Sequence, residues 1–353
     1  MLMTYIFIAA ILVVAELVYF KIADKCDIID KPNERSSHST IVLRGGGIIF
    51  SISIIIWAIW KMINGEWLMV QGYLPFIIGL VLICVVSFWD DVKSLPDSVR
   101  LVAQFSAMAL AAWCMVNDSR LIALDWYWLV LICIAALVIF VGATNIINFM
   151  DGINGITAGY ALAVLAPLLM LDVRSKMEDV IGFVEPSYLV VAIIGVLVFS
   201  IFNFRPKGKA KCFAGDVGSV GIAFIMLFAI GKLILNTNDI TWLIFLLVYG
   251  VDGCCTIIHR IMLHENLGEA HRKHAYQLMA NELGMSHVVV SLLYMAMQLA
   301  VSLGFIYLCP ATVLAHWIYL VVAGIVLAVA YVLFKMKYYH LHEEYLRSLS
   351  SKS

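Results

Sequence analysis

Several of the few ionisable side chains in this sequence stand at the ends of long apolar runs. Asp90 and Asp91 close one run in SFWDDVKSLPD, and Asn145, Asn148 and Asp151 close another in NIINFMDGINGITAG. Asp216 opens a run in FAGDVGS, and Asp252 lies inside one. Carboxylates and amides without accompanying cysteines form a hard, oxygen-rich donor set, suited to Mg²⁺ or Mn²⁺ rather than zinc. Mg²⁺ commonly takes one or two carboxylates and completes its shell with substrate phosphates. The chemistry this pattern suggests is metal-assisted binding of a phosphate-bearing ligand. Gly152 and Gly155 beside Asp151, and Gly215 and Gly218 beside Asp216, would allow tight turns and close approach of backbone to a ligand. No G-x-x-x-x-G-K-[ST] segment occurs, so a P-loop pump is unsupported.

Each residue also has a purely structural reading. Asp90 and Asp91 could mark where a span leaves the membrane. Asn145 and Asn148, three apart on one helix face, could join helices by hydrogen bonds. Asp216 could cap a helix, and Asp252 could pair with a neighbouring helix. Their gathering on one side of the membrane is what the structural readings do not explain, because ionisable groups at bilayer depth are costly and usually functional. Three further segments add cations. RPKGKAK at 205–211 places four within seven positions, as a diphosphate clamp or an inner-leaflet lipid contact. EAHRKHAY at 269–276 sets His271 and His274 three apart around Arg272 and Lys273, a spacing fit for phosphate contact or acid–base work. DKPNERSSHSTIVLRGGG at 30–47 carries Arg35, Ser36, His38 and Arg44 ahead of three glycines, an anion-friendly loop.

The elements that must position these residues follow from composition. Of 353 residues, 63% are hydrophobic and 13% charged, with a net charge of -1 and a mean hydropathy of +0.98. A soluble chain would carry about 45–50% and about 25%, so a water-soluble globule is excluded, and no basic excess exists to suit nucleic acid. The class expected is an all-α polytopic membrane protein. At about 20 residues per crossing we read eleven spans: 3–20, 47–63, 73–89, 101–116, 126–147, 156–171, 187–203, 217–235, 241–258, 286–308 and 313–334. The sixth has the weakest signal. The first lacks a preceding basic residue and a cleavage context, so it is expected to remain as a span. Segments following odd-numbered spans, with the carboxyl tail, hold 18 of the 23 Lys and Arg residues. By the positive-inside rule these face the cytoplasm, which puts the amino terminus outside and the carboxyl terminus inside. The eight cysteines are scattered without metal-ligand spacing and read as packing residues. No repeat or linker divides the chain. It is expected to be one catalytic domain, 1–353, with its site built from loops 21–46, 89–100, 145–155, 203–217 and 259–286.

Taken together, the segments resemble the polytopic polyprenyl-phosphate N-acetylhexosamine-1-phosphate transferases (glycosyltransferase family 4), which include the phospho-MurNAc-pentapeptide transferases. Asp90-Asp91 looks like the family's Asp-Asp pair, and Asn148 to Gly155 like its N-x-x-D-G-x-[DN]-G signature. Asn203 to Pro206 with Ala210 to Ser219 resembles its N-x-x-P and F-x-G-D-x-G-S segment, and His271 and His274 fall at its histidine motif. The resemblance implies transfer of a sugar-1-phosphate from a UDP-N-acetylhexosamine to undecaprenyl phosphate with Mg²⁺, at the cytoplasmic face of a bacterial inner membrane and among its lipids. By resemblance, Asp216 is a metal ligand. Asp90 and Asp91 activate or position the lipid phosphate, and Asp151 and Asn148 support metal and diphosphate. Asn154 lies near the nucleotide. Lys211 contacts phosphate, and His271, Arg272 and His274 lie on the donor side with Arg44 nearby.

Asn154 stands where many relatives carry a second Asp, and an amide cannot act as a base. The absence of an H-H-H-F-E run sets the chain apart from the pentapeptide branch and favours the N-acetylhexosamine branch, with N-acetylglucosamine the default sugar. The expected chemistry is direct in-line attack by the lipid phosphate, without an aspartyl intermediate. A pentapeptide-type transferase and an ion-coupled transporter are the competing readings, the second predicting mid-bilayer acids and inverted repeats. A homodimer is left open.

Overall fold

The computed structural model describes residues 2–30, 41–117, 125–177, 182–269 and 271–350. Arg35, Ser36 and His38 of the first loop lie outside them. The long apolar runs become helices because only a helix satisfies its own backbone groups in lipid. In chain order they are α1 (Leu2–Lys25), α2 (Ile48–Ile63), α3 (Trp67–Val92), α4 (Asp97–Asn117), α5 (Trp126–Phe149), α6 (Ile156–Met177), α7 (Pro186–Asn203), α8 (Gly215–Thr237), α9 (Leu247–Met262), the short α10 (Ala275–Asn281), α11 (His287–Leu308) and α12 (Val313–Ser350). A 3₁₀ turn, Ile240–Leu246, leads into α9, and a two-stranded antiparallel ribbon joins β1 (Ile29–Asp30) to β2 (Val42–Leu43).

Ten helical segments among the described residues are long and apolar enough to cross a bilayer. The shorter α2, with 16 residues, fills the place of the second expected span. The sixth span, weak in the sequence, is a full helix of 22 residues with Pro167 inside it. The last helix runs well past the expected end at 334. Residues 335–350 turn from apolar to charged without a glycine or proline to stop the helix.

The bundle is organised around α8. In its most apolar window 89% of residues are buried, against 6% in α12, so α8 is the hub and α12 lies at the periphery. Small residues, among them Gly218, Gly221, Ala223 and Gly231, let neighbours approach α8 closely. Larger side chains fill its far half: Phe76 of α3 stacks on Phe228 at a centroid distance of 4.0 Å and on Phe224 at 5.3 Å.

The amino end of α8 docks backbone to backbone against the segment before α2. Gly46 N–H donates to the Phe213 carbonyl (2.9 Å), Gly47 N–H to that of Ala214 (3.1 Å), and Phe213 N–H to that of Leu43 (2.8 Å). A Cβ on Gly47 would meet the Gly218 Cα at 2.4 Å, and one on Gly218 would meet the Gly47 Cα at 2.6 Å. Neither neighbour is a side chain that can swing away, so this junction needs glycine on both faces. Gly218→Ala is therefore expected to cost about 1–3 kcal/mol, the range for overfilling a packed interior. Gly72→Ala on α3, where a Cβ meets nothing within 4 Å, is expected to be neutral or slightly stabilising. Thermal unfolding in detergent compares the two.

Candidate active site

Four helix ends and two loops meet at one end of the bundle. Asp91, at the end of α3, is turned into the protein with no side-chain exposure. Its Oδ1 accepts from the backbone N–H of Asp216 (2.9 Å), and its Oδ2 from that of Val217 (3.0 Å). It thus caps the first turn of α8, where free N–H groups and the helix dipole favour an anion. Gly215 precedes that turn with φ +71°, and a Cβ there would strike the Asp91 Oδ2 at 2.5 Å. Arg44 grips the same carboxylate through Nε at 2.7 Å and reaches Asp216 Oδ2 at 3.6 Å. Burial would push the Arg44 pKa down, but Asp91 and Asp216 outweigh it and hold the guanidinium charged.

Asp90 faces the other way. Its carboxyl lies within hydrogen-bond reach of Asp216, accepts from the Leu95 N–H, and pairs with Arg100 of α4 at 3.1 Å. Arg100 also stands 3.9 Å from Asp216 and binds Asp97. Two carboxylates so close, with arginines on either side, form a site that a further cation would stabilise. Among the described residues no three His, Cys, Asp or Glu side chains converge to enclose a metal unaided. Asp90 and Asp216 together offer the one or two carboxylates that an ion drawing the rest of its shell from substrate phosphates requires.

Asp216 and Arg100 open onto a cavity of about 460 Å³, lined also by Asn145 and Asn148 of α5, Arg260 of α9, Glu269, His271 and His274. Asn148 accepts from Ser219 Oγ at 2.8 Å, which aligns it with the first turn of α8. Asn145 bonds Gln104 of α4, its Nδ2 donating at 2.8 Å, so it joins helices as well as lining the wall. Arg260 shapes the far side. Its guanidinium donates to the carbonyls of Asn266, Leu267 and Glu269 and folds the 265–269 loop over the cavity. His274 is buried, its Nδ1 is 3.1 Å from Asp252, and its Nε2 meets no hydrogen-bonding group among the described residues. Burial, with the charges of His274 and Arg260, pushes the His271 pKa down to about 3. His271 therefore lines the cavity as a neutral ring and not as a cation.

The remaining residues singled out in the sequence lie off the cavity. Asp151 accepts from Thr157 Oγ1 at 2.6 Å behind the wall, and burial pushes its pKa up to about 6 despite that bond. Asn154 is buried and spends its side-chain amide on the carbonyls of Arg205 (2.9 Å) and Pro206 (3.1 Å). The short side chain at this position braces the basic loop and does not meet the cavity. Lys211 is exposed and lines neither the cavity nor the hollow beside Asp90. Arg272 points away, pairs with Glu282 at 3.1 Å and lies over the Tyr345 ring of α12 at 4.4 Å. Two residues do more than the sequence reading assigned them. Arg100 and Arg260 counted there only as basic residues marking one side of the membrane. Arg100 falls in the first turn of α4, where the helix dipole disfavours a cation, and that misplacement was a usable signal.

The model of glycosyl transferase family 4 matches residues 73–234, from α3 through most of α8. A probable undecaprenyl-phosphate N-acetylglucosaminyl 1-phosphate transferase of Bacillus subtilis (strain 168) is 26% identical over 309 residues, covering 83% of this chain and 79% of the relative. A decaprenyl-phosphate N-acetylglucosaminephosphotransferase of Mycobacterium leprae (strain TN) is 25% identical, covering 78% of this chain and 75% of the relative. A phospho-N-acetylmuramoyl-pentapeptide-transferase of Thermotoga maritima is 28% identical, but over 42% of this chain and 50% of its own length. The matched region carries Asp90, Asp91, Asn148, Asp151 and Asp216 and supplies most of the wall around the paired carboxylates. Over residues 73–234, which hold most of the motif segments assembled at one end of the bundle, the chain is similar to glycosyl transferase family 4.

Proposed function

We propose that this protein transfers an N-acetylhexosamine-1-phosphate, N-acetylglucosamine-1-phosphate by default, from a UDP-sugar to undecaprenyl phosphate and releases UMP. The observation that carries the reading is the Asp90–Asp216 pair, set between Arg44 and Arg100, with Asp216 lining a polar cavity. Both substrates are anionic, so bringing their phosphates together requires fixed positive charge. The two relatives aligned over three quarters or more of their length are named for this sugar and for polyprenyl acceptors. The pentapeptide transferase from Thermotoga maritima aligns over half of its own length.

The reaction joins an oxygen of the lipid phosphate to the sugar-bearing phosphorus and breaks the bond from that phosphorus to the bridging oxygen, which leaves on UMP. We place the site at the cytoplasmic face of a bacterial inner membrane, the basic side of the chain, with the carboxyl terminus on that side. Asp90 and Asp216 would hold Mg²⁺, with Mn²⁺ as an alternative. The ion would neutralise phosphate charge and polarise the phosphorus–oxygen bonds. Arg100 and Arg260 border the donor diphosphate, and Asn148 orients it. Asp91 keeps α8 in register so that Asp216 faces the cavity. In-line attack needs no covalent intermediate, and Asp90 is already engaged by Arg100 and the Leu95 N–H.

Radiolabelled UMP release that requires both undecaprenyl phosphate and Mg²⁺ is the defining assay. Asp216→Asn is expected to lower kcat by about 100-fold or more with the unfolding temperature held, the scale for losing a group that stabilises transition-state charge. Full activity in that variant sinks the assignment. Asp91→Asn is expected to lower the unfolding temperature as well as activity, because it weakens the α8 cap. Chelation by EDTA is expected to abolish turnover and added Mg²⁺ to restore it; turnover that survives chelation removes the ion from the proposal. Asp151 supplies the pH dependence. Its native pKa of about 6 lies above the unfolded value of about 3.9, so the native state binds the proton more tightly. The stability this contributes is present below pH of about 4 and is lost as pH rises through about 6. Asp151→Asn is therefore expected to gain stability relative to the native protein between those values, by up to about 3 kcal/mol, read from unfolding curves at pH 4.5 and 7.5.

A further inference from the structure

The basic segment between α7 and α8 is not used by the cavity. Its feet are tied together: Lys211 N–H donates to the Phe202 carbonyl (2.9 Å), and Asn203 Nδ2 to that of Cys212 (2.9 Å). Asn154 braces it through the carbonyls of Arg205 and Pro206. Gly208, with φ +74°, turns the chain between the lysines. Arg205 folds back, and its guanidinium donates to the Ile201 carbonyl at the end of α7 (2.7 and 2.9 Å). Lys207, Lys209 and Lys211 are exposed, and none pairs with an acidic side chain among the described residues. No Asp or Glu occurs between Glu185 and Asp216, so the loop has no counter-charge of its own. The neighbouring end of α1, where Phe20 packs on Phe202 at 5.0 Å, carries Lys21 and Lys25 but also Asp24 and Asp27, and is balanced.

The place of this loop decides what supplies the counter-charge. Leu197 and Ile201 on α7, and Leu17 and Val18 on α1, are exposed apolar side chains. On helices that cross a bilayer, such faces meet lipid tails. Arg205 lies one turn beyond Ile201, so the loop leaves α7 where the acyl layer gives way to headgroups. We infer that Lys207, Lys209 and Lys211 form a docking surface for the headgroup phosphates of anionic phospholipids, phosphatidylglycerol being the simplest. Lysines at an anionic leaflet are attracted to it individually, and a compact ammonium on a flexible stem suits a mobile headgroup. The ties at its feet have already ordered the backbone, so binding does not bear that cost. None of the three lysines lines the cavity or the hollow beside Asp90, which separates this surface from the site of the proposed reaction.

The purified full chain in a neutral detergent is titrated with phosphatidylglycerol and, separately, with phosphatidylcholine of the same chain length. Native mass spectrometry counts the complexes. The first phosphatidylglycerol is expected to bind about 5- to 30-fold more tightly than phosphatidylcholine, the scale of one to two lysines at an anionic surface. The double substitution Lys207→Gln, Lys209→Gln is expected to lose about 5-fold or more of the phosphatidylglycerol affinity and none of the phosphatidylcholine affinity. Lys207→Arg with Lys209→Arg is expected to keep both, and raised salt to weaken only the anionic lipid. Both positions are exposed, so the unfolding temperature without lipid is expected to match that of the native protein. Equal affinity of the native protein for the two lipids overturns the assignment, and so does a glutamine variant that binds phosphatidylglycerol as the native protein does. A glutamine variant that keeps its lipid preference but raises the KM for undecaprenyl phosphate gives these lysines to the acceptor and also overturns it. Lipid binding is read without turnover, so failure to release UMP sinks the proposed function and leaves this surface standing.

Discussion

The structure depends on one junction, the docking of Arg44–Gly47 against Ala214–Gly218 with Asp91 beneath it. Backbone hydrogen bonds from Gly46 and Gly47, two facing glycines at van der Waals contact, and a carboxylate that accepts both leading N–H groups of α8 fix the start of that helix. Because α8 is the buried hub of the bundle, its position sets those of α3, α5 and α6 around it. Asp216 is the second residue of α8, so its carboxyl is placed by the same bonds. Scaffold and chemistry therefore share one set of contacts. A backbone interlock suits this task because it has no rotamers to lose and little freedom to relax.

The junction also explains how three aspartates coexist at close quarters. Asp90, Asp91 and Asp216 would repel strongly in a low-dielectric setting. Two arginines divide the charge among them, Arg44 between Asp91 and Asp216 and Arg100 between Asp90 and Asp216. Asp91 is further neutralised by the α8 dipole. Asp216, which faces the cavity, has the weaker contacts, at 3.6 and 3.9 Å. The adjacent acids in DDVK thus have opposite surroundings. One is spent on structure, and the other shares its charge with the group that is free to meet a ligand.

Much of this was legible in the sequence and some was not, for physical reasons. Helices were readable because lipid imposes a length and an apolar composition, and the structure places a helix at each of the eleven runs. The largest difference is at the end of α12, since nothing in KMKYYHLHEEYLRSLS breaks a helix; α3 also starts six residues before the expected span and α6 ends six residues after it. Asn148, Asp216 and His274 line one cavity, and Asp90 lies beside it against Asp216; the sequence suggested such a grouping through their positions at span ends and in loops on the basic side of the chain. Adjacent residues on a helix point in directions about 100° apart, so the roles of Asp90 and Asp91 could not be divided without knowing which face met α8. Asn154, Lys211 and Arg272 carry the right chemistry in the right loops, yet each turns to a carbonyl, to solvent or to an aromatic ring. Loop side chains have no periodicity to betray their direction. Asp252 was visible as an acid inside a span, but its partner lies 22 residues on, across a loop that no pattern predicts.

The two sides of the cavity are built on different principles. The acidic side is backbone against backbone, intolerant of a single added methyl group. The donor side is a loop held by side chains: Arg260 gathers three carbonyls, Glu265 binds Lys273, Lys335 reaches the Lys273 carbonyl, and Glu282 takes both Arg272 and His342. Side-chain ties of this kind open at lower cost than a packed helix junction. The proposed reaction, in which two carboxylates stay fixed while a nucleotide enters and leaves, calls for that asymmetry. The long charged end of α12, which looked in the sequence like a tail beyond the last span, supplies two of these ties, through Lys335 and His342, and so helps to hold the loop side of the cavity.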